Sequence, residues 1–470
     1  MTKIKFGTDG WRAIIAREFT TQNVARVAEA TAYWLLKKNK NPLVVVGHDC
    51  RFAGKLFSST VARILCSKGI RVVLSESFVS TPMISLATVN KKADLGIIIT
   101  ASHNPPDYNG FKLKGSFGGP LSPAHVQEIE EMIPDQTDLL STASEIDDYL
   151  KSGLIQFADL ETEYIMHVES NFDLSAIRNS SLKLAYDAMY GAGQNVMKRL
   201  FPDITFLHCE YNPGFMGQAP EPIDKNLSEF RELIKKRGDI DCGLVTDGDA
   251  DRIGMYDGKG NFIDSHHIIL LLIHYLVKYK GLKGKVCTAF STTPKVEKLC
   301  KHYGLPIETV KIGFKYICEI MLKENVLLGG EESGGIAITG HIPERDGIWM
   351  GLVIWEFMAK SGKGIPELIE EIYQIVGAFS FERGDLHLQE EVKNKIVRNT
   401  ADNAYQAFGK YKVKRIEDLD GYKYFFDDDN NEWLLIRASG TEPVLRTYAE
   451  SYTRDGAFDI LNAAKETLLK

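Results

Sequence analysis

Three short apolar runs in this chain, Leu95–Ile99, Cys242–Thr246 and Val326–Leu328, read as strands and end in the same way. Each gives way to small residues and oxygen-bearing side chains: TASHNPPDYNGFK over Thr100–Lys112, DGDADR over Asp247–Arg252, and GGEESGG over Gly329–Gly335. Strands that open into polar loops, with helical segments between them, constrain a chain to α/β units that aim their strand ends at a ligand. Three such endings predict three related α/β units around one central cleft.

The length agrees with that division, because 470 residues exceed what one core supports and suit three or four domains of about 100–150 residues. A content of 44% hydrophobic and 25% charged residues is that of an ordinary globular protein. With 56 basic against 63 acidic side chains the net charge is −7, which gives no footprint for nucleic acid. Positive charge for an anionic substrate must then be gathered inside a cleft. The seven cysteines (Cys50, Cys66, Cys209, Cys242, Cys287, Cys300 and Cys318) never fall in C-x-x-C spacing, which argues against a zinc site or a disulfide framework. Reduced thiols predict a cytoplasmic address. MTKIKFGTDG carries no apolar leader, and the longest apolar run, Ile268–Val277 broken by His274, is too short for a bilayer, so no membrane partner is expected.

Along the chain, FGTDGWRA (Phe6–Ala13) precedes a helical pattern from near Thr21 and is expected to place Arg12 in a tight turn. Leu43–Val46, Lys55–Lys68 and Arg71–Leu74 read as strand, helix and strand, and Ser122–Asp148 as helix plus connector. A strand at Leu182–Tyr186 leads through DAMYGAG to a helix near Gln194. The two prolines of GQAPEPI (Gly217–Ile223) exclude helix interior. Helices are expected at Glu229–Arg237 and Ile268–Lys278, and a strand at Val286–Phe290. Alternation over Ala378–Asp385 reads as an antiparallel strand. The expected domains are 1–150, 151–253, 254–377 and 378–470: three α/β domains with mixed sheets and a smaller α+β C-terminal domain.

Ser102, where a strand opens into a loop, reads either as a nucleophile or as a capping serine in an ordinary turn. His103, Asn104, Asp107 and Lys112 supply polar groups able to hold a phosphate. Asp247, Asp249 and Asp251 alternate, so an extended loop would turn their carboxylates the same way, where they repel by a few kcal/mol unless a cation intervenes. Oxygen-only ligands favour Mg²⁺, although Ca²⁺ loops and plain Asp-Gly turns share the pattern. The EF-hand pattern fails because Gly258 stands at its twelfth position. Arg252 would sit beside a phosphate at that cation. Glu331 and Ser333, two apart, would project together and can hydrogen-bond sugar hydroxyls. RASGTEP offers Arg437, Ser439, Thr441 and the amides around Gly440 to a phosphate, or is a common Ser-Gly-Thr turn.

With these four motifs in this order, the chain resembles the α-D-phosphohexomutases, the phosphoglucomutase/phosphomannomutase family, from Phe6 to about Ala449. The resemblance implies that Ser102 is phosphorylated and that Mg²⁺ is held by Asp247, Asp249, Asp251 and a Ser102 phosphoryl oxygen. It implies isomerisation of hexose 1- and 6-phosphates, glucose first and mannose second, with a hexose 1,6-bisphosphate as intermediate and activator. Arg12 is carried into the active site, Lys112 becomes a proton-handling or phosphate-contacting lysine, and His103 shapes the loop. Glu331 and Ser333 are assigned to the 3- and 4-hydroxyls. Arg437, Ser439, Gly440 and Thr441 form a phosphate clamp, and Lys315, after Phe314 in a GFK segment, is a phosphate contact.

The chain departs from the family at two positions. Gly335 stands where some members have a histidine, and Arg345 where others have a lysine. An arginine stays protonated, so Arg345 is expected to contact phosphate and not to carry protons. NPPDYNGFK also differs from the NPYYDNGIK-like form associated with phosphoglucosamine mutases. A phosphoglucosamine mutase, a phosphopentose mutase and a non-catalytic sugar-phosphate-binding protein are the alternatives. The resemblance implies no oligomeric state.

Overall fold

The computed structural model of the chain describes residues 3–438 and 444–470. Two compact units emerge: Met1–Lys285 with Gly313–Leu368, and Val286–Ile312 with Ile369–Lys470.

The first unit contains a six-stranded mixed sheet built from β1 (Trp11–Ile14), β2 (Leu43–His48), β3 (Arg71–Ser75), β4 (Leu95–Ile99), β5 (Tyr108–Gly115) and β6 (Ile155–Ala158), in the order β1-β5-β4-β2-β3-β6. β2 and β4 are runs of Val, Ile and Leu because both faces of these central strands are covered, and all five residues of β4 are buried. The helices α1 (Thr21–Lys38) and α2 (Gly54–Ser67) supply apolar faces to this core, in which Phe19 packs tilted against Trp11 and meets Phe57 edge-on. The helix α3 (Thr81–Asn90) starts at Ser80, whose hydroxyl accepts from the Met83 amide and so satisfies one of the free amides of the first turn.

Two expectations are corrected here. Arg12 lies in β1, not in a turn, because Trp11–Ile14 pairs antiparallel with Tyr108–Phe111 and the ladder extends the chain, with Arg12 opposite Gly110. The polar segment after β4 is also shorter than Thr100–Lys112, since β5 begins at Tyr108 and runs back along β4.

A second sheet has β7 (Leu184–Asp187), β8 (Thr205–Leu207), β9 (Cys242–Thr246), β10 (Ile253–Asp257) and β11 (Phe262–Ile263), ordered β11-β10-β9-β7-β8. The apolar helix expected at Ile268–Lys278 spans Ser265–His274 and continues through a π-turn, Tyr275–Tyr279. The same unit carries the hairpin Val326–Gly330 with Ile336–Ile338, and the buried helix Gly347–Ser361, capped by Asp346 and closed by Gly362 in the left-handed region.

In the second unit, Val286–Ala289 pairs in parallel with Ile307–Val310. Ser380–His387 pairs antiparallel with Val444–Ser451, as the alternating pattern predicts, within a five-stranded antiparallel sheet backed by the helix Arg454–Leu468. Lys423 is buried there against Trp433, its ammonium 4.0 Å from the ring centroid, and donates to the carbonyls of Phe290 and Thr292.

Candidate active site

Three strands of the first unit, β4, β9 and Val326–Gly330, end in the loops that the sequence singled out. The first two loops touch. A Cβ added to Gly248 would lie 2.5 Å from the Ser102 carbonyl oxygen, so only glycine lets the aspartate loop run this close to the serine. Ser102 donates to Asp247 Oδ2 at 2.8 Å, and His103 Nδ1 lies 3.2 Å from the same hydroxyl. Burial, reinforced by Arg252, Arg12, Lys112 and Arg51, holds His103 well below the usual imidazole range. The ring is therefore neutral, with Nδ1 within hydrogen-bond distance of the hydroxyl. Ser102 itself occupies the left-handed region, with φ +53°, which costs a non-glycine residue about 1–3 kcal/mol and must be compensated by its surroundings.

The aspartate loop is a turn and not the extended segment expected: Ala250 has φ +56° and its amide donates to the Asp247 carbonyl. The carboxylates converge all the same, with one oxygen from each of Asp247, Asp249 and Asp251 lying within 4.8 Å of the others, and all three side chains fully buried. Burial, with Asp249 and Asp251 beside it, pushes Asp247 well above the usual carboxylate range. Burial also acts upward on Asp249, but Lys112 and the Thr81 hydroxyl overcome it and hold the group below its ordinary value.

Two oxygens in this cluster, Oδ1 of Asp249 and Oδ1 of Asp251, are buried with no hydrogen-bond partner. Orphaned carboxylate oxygens in a dry site carry a large desolvation cost that a hard cation removes. The donor set therefore fits a divalent metal such as Mg²⁺.

The remaining oxygens are held by a buried network of ion pairs. Lys112 Nζ lies 2.7 Å from Asp249, 2.9 Å from Asp9 and 3.2 Å from Asp251. Although burial favours its neutral form, these carboxylates keep it charged. Arg345 lies 2.5 Å from Asp9 and 2.7 Å from Asp251, with Glu344 at 3.5 Å and Glu331 at 3.9 Å, and the same carboxylates, Asp251 and Asp9 foremost, outweigh burial to hold it protonated. Lys114 pairs with Glu344 at 2.6 Å in full burial. Asp9, in the same FGTDGWRA segment as Arg12, joins both cations, and no local sequence pattern singles it out.

Around this centre, Arg12 donates to Asn104 Oδ1 at 2.6 Å, tying β1 to the serine loop. The Arg252 amide donates to Asp247 at 3.1 Å, its Nε is buried with no hydrogen-bond partner and lies 4.0 Å from Asp251 Oδ1, and its backbone bridges Gly335. That bridge sets the third loop against the aspartate loop. Glu331 and Ser333 also lie in a turn, where the Gly334 amide donates to the Glu331 carbonyl; Glu331 is buried and Ser333 half-buried. Burial pushes Glu331 up to about 7, and its carboxylate accepts from the Gly313 amide. Lys315, in the first turn of helix Phe314–Met321, lines a cavity of about 380 Å³ together with Thr8, Asp9 and Gly10. Arg437 belongs to the second unit, where it pairs with Asp420 at 3.3 Å. Ser439, Gly440 and Thr441 lie outside the described residues.

The whole chain has known relatives. The phosphoglucomutase/phosphomannomutase alpha/beta/alpha domains I, II and III match residues 3–139, 162–260 and 264–376, and the C-terminal domain of that family matches 394–465. The chain belongs to the phosphoglucomutase/phosphomannomutase family of the phosphohexomutases, isomerases that move a phosphoryl group. A phosphoglucomutase/phosphomannomutase of Thermococcus kodakarensis is 32% identical over 97% of this chain and 96% of its own length. A probable phosphoglucosamine mutase of Pyrococcus furiosus is 30% identical over 98% and 96%. The crystal structure of a protein described as a phosphomannomutase from Thermus thermophilus superimposes with a TM-score of 0.88 at 32% identity, covering all of both chains. Among the described residues no helix is long and apolar enough to cross a membrane.

Proposed function

We propose that the chain interconverts the 1- and 6-phosphates of a hexose through a phosphorylated Ser102, and that the hexose is an amino sugar, glucosamine. The observation that carries the reaction is the Ser102 hydroxyl 2.8 Å from one of three converging aspartates, two of which keep an orphaned oxygen. The name of the Pyrococcus furiosus relative supports the amino sugar, against the expectation drawn from NPPDYNGFK. The Thermococcus kodakarensis relative supports glucose or mannose as the second reading.

Asp247, Asp249, Asp251 and a Ser102 phosphoryl oxygen would hold Mg²⁺, which supplies charge neutralisation for the transferring phosphoryl group. In the forward half-reaction the P–O bond to Ser102 breaks, a P–O bond forms to the sugar 6-hydroxyl, the hydroxyl proton leaves for a nearby base, and the freed Ser102 oxygen takes up a proton. The resulting hexose 1,6-bisphosphate turns end for end; the P–O bond to its 1-oxygen breaks as one forms to Ser102, whose proton leaves while the 1-oxygen gains one, and the 6-phosphate remains. Arg12, with Arg252, whose Nε has no hydrogen-bond partner, meets the phosphate, and neutral His103, 3.2 Å from the serine hydroxyl, shapes the loop around it. Lys112 and Arg345, charged and enclosed by carboxylates, balance the aspartate loop while lending positive field to the substrate. Glu331 and Ser333 read sugar hydroxyls, Lys315 contacts a phosphate, and Arg437 with Ser439, Gly440 and Thr441 clamps the phosphate that is not transferred. Domain divisions near 150, 253 and 377, the first moved past β6 of the first sheet and the second past β10 and β11 of the second, and a cytoplasmic address, supported by seven free and buried cysteines, complete the reading.

The test offers glucosamine, glucose and mannose 1-phosphates separately, with Mg²⁺ and catalytic bisphosphate, and follows formation of each 6-phosphate. The highest kcat/KM is expected with glucosamine 1-phosphate. A higher value for glucose or mannose selects the second reading, and no turnover of any hexose phosphate contradicts the mutase.

A further inference from the structure

We propose that Arg51, held by Asp49, is the positioning residue of the nucleophile loop, fixing Ser102 in the conformation from which it receives and gives its phosphoryl group. This rests on the reading of Ser102 as the nucleophile. The Arg51 side chain is 1% exposed and lies beneath the loop. Its Nη2 donates to the carbonyls of Ser102 and Asn104, both at 2.6 Å, and its Nη1 to those of Pro105 and Tyr108, at 2.8 and 3.0 Å. One planar fork thus gathers four carbonyls across the whole turn between β4 and β5.

Asp49 completes the grip. It accepts from the Arg51 amide at 2.9 Å and from the Thr100 hydroxyl, and it lies 3.5 Å from Arg51 Nε. Thr100 Oγ1 in turn accepts from the Ser102 amide at 2.9 Å. Ser102 is therefore held at both backbone ends, its N–H through Thr100 and Asp49 and its C=O by Arg51. It is also the one residue of that loop with a left-handed φ. Phe215 lies against the guanidinium, with 5.0 Å from its ring centroid to the guanidinium carbon, and closes that side. The Ser102 carbonyl that Arg51 holds is the same one that Gly248 approaches, so the spacing between hydroxyl and aspartates depends on where Arg51 places that oxygen.

A merely structural arginine would stabilise the fold and leave the chemistry to others. A positioning arginine sets the attack geometry, where a displacement of about 1 Å costs about 100-fold in rate. Lysine keeps the charge but offers one compact ammonium that cannot span four carbonyls.

The experiment measures single-turnover transfer from glucose 1,6-bisphosphate to the full-length protein by intact mass and peptide mapping. Steady-state kcat and KM and the affinity for Mn²⁺ are measured alongside. Wild type is expected to carry one phosphoryl group on Ser102. Arg51→Lys is expected to slow the transfer and kcat by about 100-fold while KM and Mn²⁺ affinity stay within about threefold. If Arg51→Lys does not fold, Asp49→Asn makes the same comparison, with a loss of about 10-fold expected. Transfer within about threefold of wild type overturns the proposal, as does a fall of kcat and Mn²⁺ binding together in proportion to lost folded protein. Wild type labelled at another residue refutes the nucleophile reading itself, and the Arg51 proposal with it.

Discussion

Arg51 and Arg345 lie beneath adjoining parts of one site, at 1% and 4% exposure, and face opposite kinds of partner. Under the serine loop, Arg51 spends its donors on neutral carbonyls, with one carboxylate beside it. Under the aspartate loop, Arg345 meets Asp9 and Asp251 closely, with Glu344 and Glu331 further off. The first arrangement fixes a shape, and losing it moves atoms. The second balances charge, and losing it leaves buried carboxylates uncompensated. A phosphoryl-transfer site needs both, because the nucleophile must be aimed while the field around it stays poised for a dianion.

That division can be broken by experiment, and the largest effect belongs to the nucleophile. Ser102→Ala should lower kcat by more than about 10³-fold with an unchanged circular dichroism spectrum, since the reacting oxygen is gone but the loop's carbonyls still bind Arg51. Next, Asp251→Asn should weaken Mn²⁺ binding by more than about 100-fold in titration calorimetry, beyond what loss of an outer partner costs. Arg345→Gln should destabilise the apo protein by about 3–5 kcal/mol in urea unfolding, because it strips a cation from buried carboxylates. Saturating Mg²⁺ should recover part of that loss, about 2.7 kcal/mol at 100 times Kd. Arg51→Lys, which keeps its metal affinity, should gain from the metal what wild type gains and no more, because its carbonyl partners carry no net charge.

The smallest effect is that of Glu331. Its folded pKa of about 7 lies above the ordinary value of 4.5, so the native state binds the extra proton and stability falls as pH rises from about 4.5 through about 7. The contribution is at most about 3 kcal/mol. Glu331→Gln should flatten that part of the stability–pH curve, and a slope unchanged in the variant would assign the titration to another group.

The sequence disclosed the reacting parts more readily than their supports. Ser102, the three aspartates and Glu331 stand where apolar runs end, and a run ending in oxygen ligands is a local pattern. Arg12 was found but expected in a turn, because the partner that straightens it, β5, lies about a hundred residues away. Asp9, Thr81, Thr100 and Arg51 act through bonds to distant residues or to carbonyls, which leave no side-chain pattern. Asp49 and Arg51 had a signal nonetheless. They follow β2 in the segment GHDCR, a fourth apolar run ending in polar residues, of the kind that revealed the other three. The turns of the aspartate and Glu331 loops were illegible for another reason. Alternation alone suggests extended chain, whereas the left-handed Ala250 shows the same convergence achieved by folding back.

The central claim is that Ser102 and the aspartate loop form one phosphoryl-transfer centre, and crystals soaked in Mn²⁺ and glucose 1,6-bisphosphate test it most directly. The account predicts one anomalous peak about 2.0–2.3 Å from an oxygen of each of Asp247, Asp249 and Asp251 and from a phosphoryl oxygen on Ser102. Manganese bound elsewhere, or a phosphoryl group on any other side chain, would contradict it.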